Sequence, residues 1–216
     1  MNSKLEQALM LTGPAGALEA KLNLPETTQA AQGVAIVCHP HPQYGGTLDN
    51  KVTHMVARGF NDAGIAALRF NFRGVGKSEG GFDHGRGELE DCMAIVDWAK
   101  VRWPQLYLAG FSFGAYIALR ASLLLRPSLL VSVALPVQYF AADEHPMIDW
   151  PWLLLQGNAD EVVNIDAVKR WLDALPRQPR IVTFPDASHF FHGQVVALRH
   201  RLAQEVRQLL KPGETA

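Results

Sequence analysis

The chain has 216 residues, of which 48% are hydrophobic and 19% charged, and it carries a formal net charge of −1 at pH 7. This length and composition allow a core that needs no disulfide or metal ion, and we expect one α/β domain over residues 1–216. The near-neutral charge argues against a nucleic-acid-binding surface, which depends on clustered lysines and arginines. With no secretory leader and no apolar run long enough to span a membrane, the expected location is the cytoplasm, without a membrane partner.

The spacing of apolar residues predicts a hairpin followed by strands that alternate with helices. The hairpin strands are expected at 7–12 and 17–24, on either side of a turn at 13–16. This alternation predicts an α/β fold with a mostly parallel sheet, helices on both faces and the antiparallel hairpin at one edge. The later strands are predicted at 34–38, 65–72, 106–109, 129–137, 152–156 and 180–184, and the helices at 50–63, 87–103, 114–126, 164–175 and around 195–209.

A serine motif lies between a predicted strand and a predicted helix, in the run Gly110-Phe111-Ser112-Phe113-Gly114. Gly-x-Ser-x-Gly in a strand–turn–helix setting is the nucleophile elbow of the α/β-hydrolase fold. The tight turn lifts the serine hydroxyl above the edge of the sheet. The alternative of a purely structural serine is disfavoured by this setting, and we predict Ser112 as a nucleophile.

The predicted base is His189, because a serine hydroxyl needs an imidazole to take its proton. In this fold the order along the chain is serine, acid and histidine, each just past the end of a strand. His189 follows the predicted strand 180–184 across a short loop. His192, in the same loop, is the weaker candidate.

Asp160 is the predicted orienting acid, because it comes directly after a core strand and behind Gly157, which permits a tight turn. Asp186 competes for this role but is close to the histidine along the chain. Asp143 also competes, since it follows the preceding strand. Glu161 is expected to be solvated.

A tetrahedral intermediate also needs backbone N–H donors for its oxyanion. One is expected from Phe113, immediately after the nucleophile. The other should come from the loop 39–47, where the prolines have no N–H and His41 is the nearest remaining donor through its backbone. Tyr44 or Gly45 is the alternative if the loop folds back differently.

The neighbouring His39 and His41 could suggest a metal site, but the sequence offers no evident third ligand. We therefore predict no metal and no cofactor, and expect these histidines to hold their loop by hydrogen bonds. Cys38 and Cys92 lack metal-ligand spacing and are predicted to be reduced thiols, one in a core strand and one on a helix.

Further short segments surround the predicted site, namely His39-Pro40-His41-Pro42, Tyr44-Gly45-Gly46-Thr47, Asp49-Asn50-Lys51, Arg73-Gly74-Val75-Gly76-Lys77-Ser78 and Ser188-His189-Phe190-Phe191-His192-Gly193. Together with the serine motif they resemble a group of small bacterial α/β-hydrolases, over nearly the whole chain. The resemblance implies the α/β-hydrolase fold, the serine–aspartate–histidine triad and hydrolysis of carboxylic esters. It also implies that Arg73 belongs to a structural loop and binds backbone carbonyls.

The segment 138–151, between two predicted strands, is too short for the cap domain that many α/β-hydrolases carry there. We therefore predict a shallow, open pocket. Its apolar lining is predicted to come from the aromatic residues Tyr44, Phe111, Phe113, Tyr139 and Phe190.

These patterns predict a serine hydrolase that cleaves small carboxylic esters or thioesters through an acyl-enzyme on Ser112. A small-molecule ester is therefore the expected partner. One alternative is a peptidase or amidase with the same triad. The other is a binding protein that keeps the fold without turnover.

Overall fold

The structure is a computed structural model and describes residues 6–26, 31–141 and 144–210. Its strands are β1 (Glu6–Gly13), β2 (Gly16–Asn23), β3 (Gly33–Cys38), β4 (Ala66–Phe70), β5 (Gln105–Phe111), β6 (Leu129–Val133), β7 (Trp152–Gly157) and β8 (Arg180–Phe184). Its helices are α1 (Lys51–Asp62), α2 (Arg86–Lys100), α3 (Phe113–Leu125), α4 (Ile165–Asp173) and α5 (Val195–Leu209), with short 3-10 turns at Pro42–Tyr44 and Val137–Tyr139.

The strands form one eight-stranded sheet in the order β1-β2-β4-β3-β5-β6-β7-β8. From β4 to β8 every neighbouring pair is parallel, whereas β1 pairs with β2, and β2 with β4, in antiparallel fashion. The predicted parallel sheet with an antiparallel hairpin at its edge is therefore confirmed. All six residues of β3 are buried, as expected for a central strand covered on both faces.

Two apolar layers cover the sheet, one on each face. The first is built with α2, α3 and α4, and includes Ile95, Ile117 and Leu172. The second is built with α1 and α5, and includes Val56 and Leu202. None of the helices in the described parts of the chain is long and apolar enough to cross a membrane.

The strand β6 ends at Val133, so the predicted strand end at residue 137 is wrong. Ala134 has a positive φ of 49°, which turns the chain out of the strand, and its N–H donates to the carbonyl of Leu155 at 3.0 Å. Leu135 and Val137 nevertheless remain buried. The apolar run therefore continues past the strand end, and hydrophobicity alone does not mark that end.

Arg73 binds a carboxylate, and the expectation that it binds backbone carbonyls is wrong. Its Nη2 and Nε donate to Asp91 at 2.8 and 3.0 Å, and its backbone N–H donates to the same carboxylate at 2.9 Å. Asp91 lies in α2 and is fully buried, so the bidentate pair fixes the loop after β4 to that helix. The hydrogen bonds that Arg73 donates to Asp91 raise the pKa of Arg73.

Cys38 and Cys92 are free and buried, one at the end of β3 and the other in α2, as predicted. Their sulfur atoms lie 3.8 Å apart. Burial and the neighbouring thiol both raise the pKa of Cys38, so this sulfur stays protonated and acts as a small apolar core group.

Candidate active site

The carboxyl ends of the parallel strands meet at one edge of the sheet, and the predicted site residues come from the loops there. Ser112 follows β5 directly, Asp160 follows β7, and His189 follows β8. His41 lies in the loop after β3. The fold therefore brings groups that are distant along the chain to a single place.

Ser112 lies at a sharp turn between β5 and α3, with φ of 54° and ψ of −123°. This conformation is costly for a residue with a Cβ, so its surroundings must impose it. A Cβ on Gly110 would lie 2.1 Å from the carbonyl oxygen of Gly114, and a Cβ on Gly114 would lie 2.3 Å from that of Cys38. Both glycines are therefore required for the close approach of strand, helix and loop.

The three predicted triad side chains form a continuous chain of hydrogen bonds. His189 Nε2 lies 3.0 Å from Ser112 Oγ, and Nδ1 lies 2.9 and 3.1 Å from the two oxygens of Asp160. Because a carboxylate only accepts, Nδ1 carries the proton, and Nε2 is left to accept from the serine hydroxyl. The imidazole is almost fully buried.

Asp160 accepts further hydrogen bonds that fix its carboxylate. The backbone N–H groups of Val162 and Val163 donate to Oδ1 at 2.9 and 2.8 Å, and Gln156 Nε2 donates to Oδ2 at 3.0 Å. Burial works to raise the pKa of Asp160, but the hydrogen bonds from His189 and from the backbone N–H groups of Val163 and Val162 outweigh it, and the pKa is lowered. The carboxylate is therefore ionised at neutral pH.

Glu161 has a partner that its place in the sequence does not predict. Its side chain is exposed, as expected, but Oε2 accepts the backbone N–H of His189 at 3.0 Å. This hydrogen bond lowers the pKa of Glu161. The carboxylate thus anchors the loop that carries the histidine, through a contact across 28 residues that no local pattern could reveal.

The loop after β3 narrows the choice of the second oxyanion donor. The backbone N–H of Tyr44 donates to His41 at 3.1 Å and that of Gly45 to Pro42 at 3.3 Å, so both alternatives are engaged inside the loop. Phe113 is the first residue of α3, where a backbone N–H has no intrahelical acceptor. The His41 and Phe113 rings pack with centroids 4.8 Å apart, which keeps the two residues together.

His39 holds the same loop from within the core, as predicted from the sequence. Its Nε2 accepts the backbone N–H of Phe72 at 3.1 Å, and Nδ1 lies 2.6 Å from the carbonyl oxygen of Pro40. Among the described residues, no group of three or more histidine, cysteine, aspartate or glutamate side chains is placed to hold a metal ion.

The aromatic residues predicted to line the pocket separate into two groups. Tyr44, Tyr139 and Phe190 are 86%, 43% and 41% exposed, and so can meet a ligand. Phe111 is fully buried, with its ring 5.0 Å from that of His189, and it supports the imidazole from below instead of lining the pocket. Phe113 is almost entirely buried.

The competing candidates lie away from these hydrogen bonds. His192 Nδ1 is 3.3 Å from Ser188 Oγ in its own loop. Asp186 lies in the turn after β8, and its backbone N–H donates to Asn158 at 2.6 Å. Asp143 lies outside the described residues.

Comparison with known proteins places the chain among hydrolases. Residues 16–136 match the family described as X-Pro dipeptidyl-peptidase (S15 family). The chain is 33% identical over 196 residues to an uncharacterized protein of Rickettsia prowazekii, covering 85% of this chain and 81% of that one.

Two solved structures are similar over almost the whole chain. An α/β serine hydrolase without lid from Xanthomonas campestris has a TM-score of 0.88 and 45% identity, with 96% of each chain covered. An α/β serine hydrolase homologue from Coxiella burnetii has a TM-score of 0.89 and 39% identity, over 93% of this chain and 97% of that one. These likenesses establish the α/β-hydrolase fold.

Proposed function

We propose, from the premise that this chain belongs to the family described as X-Pro dipeptidyl-peptidase (S15 family) and is a hydrolase, that it cleaves small carboxylic esters or thioesters through an acyl-enzyme on Ser112. The observation that carries the proposal is the unbroken hydrogen-bond chain from Ser112 through His189 to Asp160.

In the first half of the reaction Ser112 Oγ attacks the ester carbonyl carbon while its proton passes to His189 Nε2. Asp160 stabilises the imidazolium that forms and keeps the ring oriented through Nδ1. The carbonyl oxygen becomes an oxyanion and takes hydrogen bonds from the backbone N–H groups of Phe113 and His41. Each such donor contributes about 3 kcal/mol of transition-state stabilisation.

The tetrahedral intermediate then collapses. The bond to the alcohol or thiol breaks, the leaving group takes the proton from His189 Nε2, and the acyl group stays on Ser112 Oγ. In the second half a water molecule gives its proton to the same nitrogen and attacks the acyl carbon. The acid is released and the proton returns to Oγ, so the enzyme ends as it began.

A peptidase with the same nucleophile is the second candidate, because the family takes its description from an X-Pro dipeptidyl-peptidase. A dipeptidyl-peptidase has to hold the ammonium terminus of its substrate, and the exposed carboxylate of Glu161 lies beside His189. The ester reading is preferred because the segment 138–151 is too short for a cap that would enclose a peptide end.

The test is labelling with a fluorophosphonate probe followed by a substrate panel. We expect one adduct, located on Ser112 by peptide mass analysis, and hydrolysis of p-nitrophenyl acetate and butyrate that is lost in Ser112→Ala. Xaa-Pro-p-nitroanilides in the same panel decide between esterase and peptidase. A folded protein that forms no adduct would instead be a binding protein that retains the fold.

A further inference from the structure

Six aromatic rings form a continuous surface beside Ser112, which we call the aromatic wall. Phe113 is its centre, with ring centroids 4.8 Å from His41, 6.0 Å from Phe82, 6.3 Å from Tyr116 and 6.1 Å from Tyr139. Tyr44 completes the wall, 4.7 Å from the ring of His41. Its members come from the loops after β3, β4 and β6 and from the start of α3, so four separate parts of the chain converge here.

The outer rings of the wall are exposed to solvent. Tyr44 is almost entirely in solvent, and Tyr139 is exposed over nearly half of its surface. Phe113 behind them is buried and immediately follows Ser112. Clustered aromatic residues left open beside a reacting group are typical of a ligand-binding surface.

The wall also carries polar atoms. Three of the four tyrosines of the chain belong to it, namely Tyr44, Tyr116 and Tyr139. The rings of Tyr116 and Tyr139 lie 5.4 Å apart, between centroids. Burial raises the pKa of Tyr139, and the electrostatic influence of Tyr44 and Tyr116 raises it further. The wall thus offers ring faces for stacking together with hydroxyls that can donate or accept.

The position of the base indicates which part of an ester meets the wall. The leaving atom has to reach His189 Nε2, so the leaving group lies on the histidine side of Ser112. On that side, the ring of Phe190 packs 5.1 Å from His189 and lines a recess of about 200 Å³ with Lys51 and His192, beside α1. Phe113, Phe82 and Tyr116 pack in the apolar layer on the opposite face of the sheet, with α2 and α3. The wall that they anchor is therefore left for the acyl group.

Resting on the proposed function, we infer that the aromatic wall is the acyl subsite and that the preferred acyl group is an aromatic carboxylic acid, including ring-hydroxylated ones. A planar ring can form offset or edge-to-face contacts with Tyr44 and Tyr139, which a saturated ring of similar size cannot. A hydroxyl on that ring can in turn hydrogen-bond to the tyrosine phenols.

The experiment compares p-nitrophenyl esters of phenylacetic, 4-hydroxyphenylacetic and cyclohexylacetic acid. In all three the methylene group insulates the carbonyl from the ring, so intrinsic reactivities are similar, and each kcat/KM is divided by that of the acetate ester. We expect phenylacetate to exceed cyclohexylacetate by about tenfold, the effect of about 1.4 kcal/mol of added ring–ring contact. The 4-hydroxy compound should exceed phenylacetate, because its hydroxyl can hydrogen-bond to the tyrosine phenols.

Variants assign the preference to the wall. Tyr44→Leu with Tyr139→Leu should bring the phenyl-to-cyclohexyl ratio to about one, whereas Tyr139→Phe should keep this ratio and lose only the gain from the 4-hydroxyl group. Leu124→Ala, at an exposed residue near the far end of α3, is the matched control and should keep the wild-type ratio. Dividing each kcat/KM by that of the acetate ester cancels any general loss of catalytic activity in a variant.

A wild-type ratio near one, or a ratio unchanged in the double leucine variant, would overturn the inference while leaving the serine-hydrolase proposal intact. If the fluorophosphonate probe fails to label Ser112 and no ester is hydrolysed, the proposed function itself fails and the acyl subsite falls with it.

Discussion

The ring of His39 accepts the backbone N–H of Phe72 through Nε2 at 3.1 Å, and this links the loop after β3 to the end of β4. The bond requires an unprotonated Nε2, so Nδ1 carries the proton and donates to the carbonyl of Pro40. The ring is fully buried, and burial lowers the pKa of His39 from 6.5 to about 4.

We predict that this neutral histidine makes the protein less stable in mild acid. Between pH 6.5 and about 4 the unfolded chain binds a proton at His39 that the folded chain does not, so the free energy of unfolding falls as the pH falls through this window. Over this window the free energy of unfolding falls by roughly 3 kcal/mol in total. Above pH 6.5 the contribution of His39 to the free energy of unfolding is constant. Urea unfolding of wild type and His39→Gln across this pH range measures the loss. If the free energy of unfolding depended on pH in the same way in the two proteins, the prediction would be contradicted.

The strained backbone at Ser112 predicts different stabilities for two variants that are both inactive. Ser112→Gly relieves the positive φ, whereas Ser112→Ala keeps a Cβ in the same conformation. We expect the glycine variant to be more stable than the alanine variant by about 1 kcal/mol, even though glycine has the greater entropy in the unfolded chain. Urea unfolding at pH 7 measures the difference, and an alanine variant at least as stable as the glycine variant would show that the turn is unstrained.

Removing the charge of Asp160 should impair catalysis much more than folding. In Asp160→Asn the amide no longer selects the imidazole form with the proton on Nδ1, and kcat for p-nitrophenyl acetate should fall about 10³- to 10⁴-fold. Glu161→Gln is the matched control, because its amide oxygen can still accept the backbone N–H of His189. Its kcat should fall less than about tenfold. Comparable losses in the two variants would argue against Asp160 as the orienting acid.

Gly114→Ala should disturb both stability and activity. The added Cβ meets the carbonyl oxygen of Cys38 at 2.3 Å, and backbone atoms there have to move. We expect the free energy of unfolding to fall by about 1–3 kcal/mol. We also expect a lower kcat, because the backbone amides of Phe113 and His41 shift apart. Gly81→Ala is the control, since a Cβ there meets nothing within 4 Å. Urea unfolding and ester hydrolysis are measured on both variants. A Gly114→Ala variant as active as the control would refute the predicted crowding.

The order and direction of the strands could be predicted because buried strands and amphipathic helices leave different apolar patterns. The run 34–38, for example, is apolar at every position and is buried throughout. The end of β6 could not be predicted, because Leu135 and Val137 stay in the core after the strand has turned away at Ala134. Strand ends depend on backbone angles that neighbouring segments impose, and hydrophobicity does not record them.

For the candidate site, the Gly-x-Ser-x-Gly motif and the rule that functional loops follow strand ends together select three side chains that lie within hydrogen-bonding distance. Their catalytic roles stay predictions until Ser112 is labelled. The carboxylate of Asp91 under Arg73, the Glu161 anchor and the ring of Tyr116 in the aromatic wall were not foreseen. The first two contacts join parts of the chain that only the folded sheet brings together, so their residues carry no shared local motif. Tyr116 lies one turn of α3 from Phe113, but its packing against Tyr139, with ring centroids 5.4 Å apart, depends on the fold as well.

The turn at Ser112 has a consequence for when activity can begin. Its angles are imposed by β5, α3 and the loop after β3, and the histidine beside it arrives 77 residues later along the chain. A newly synthesised chain therefore exposes no activated serine until its last strand has been added and docked. Under the proposed function, the incompletely folded protein is not acylated at Ser112. The onset of ester hydrolysis therefore reports that folding is complete.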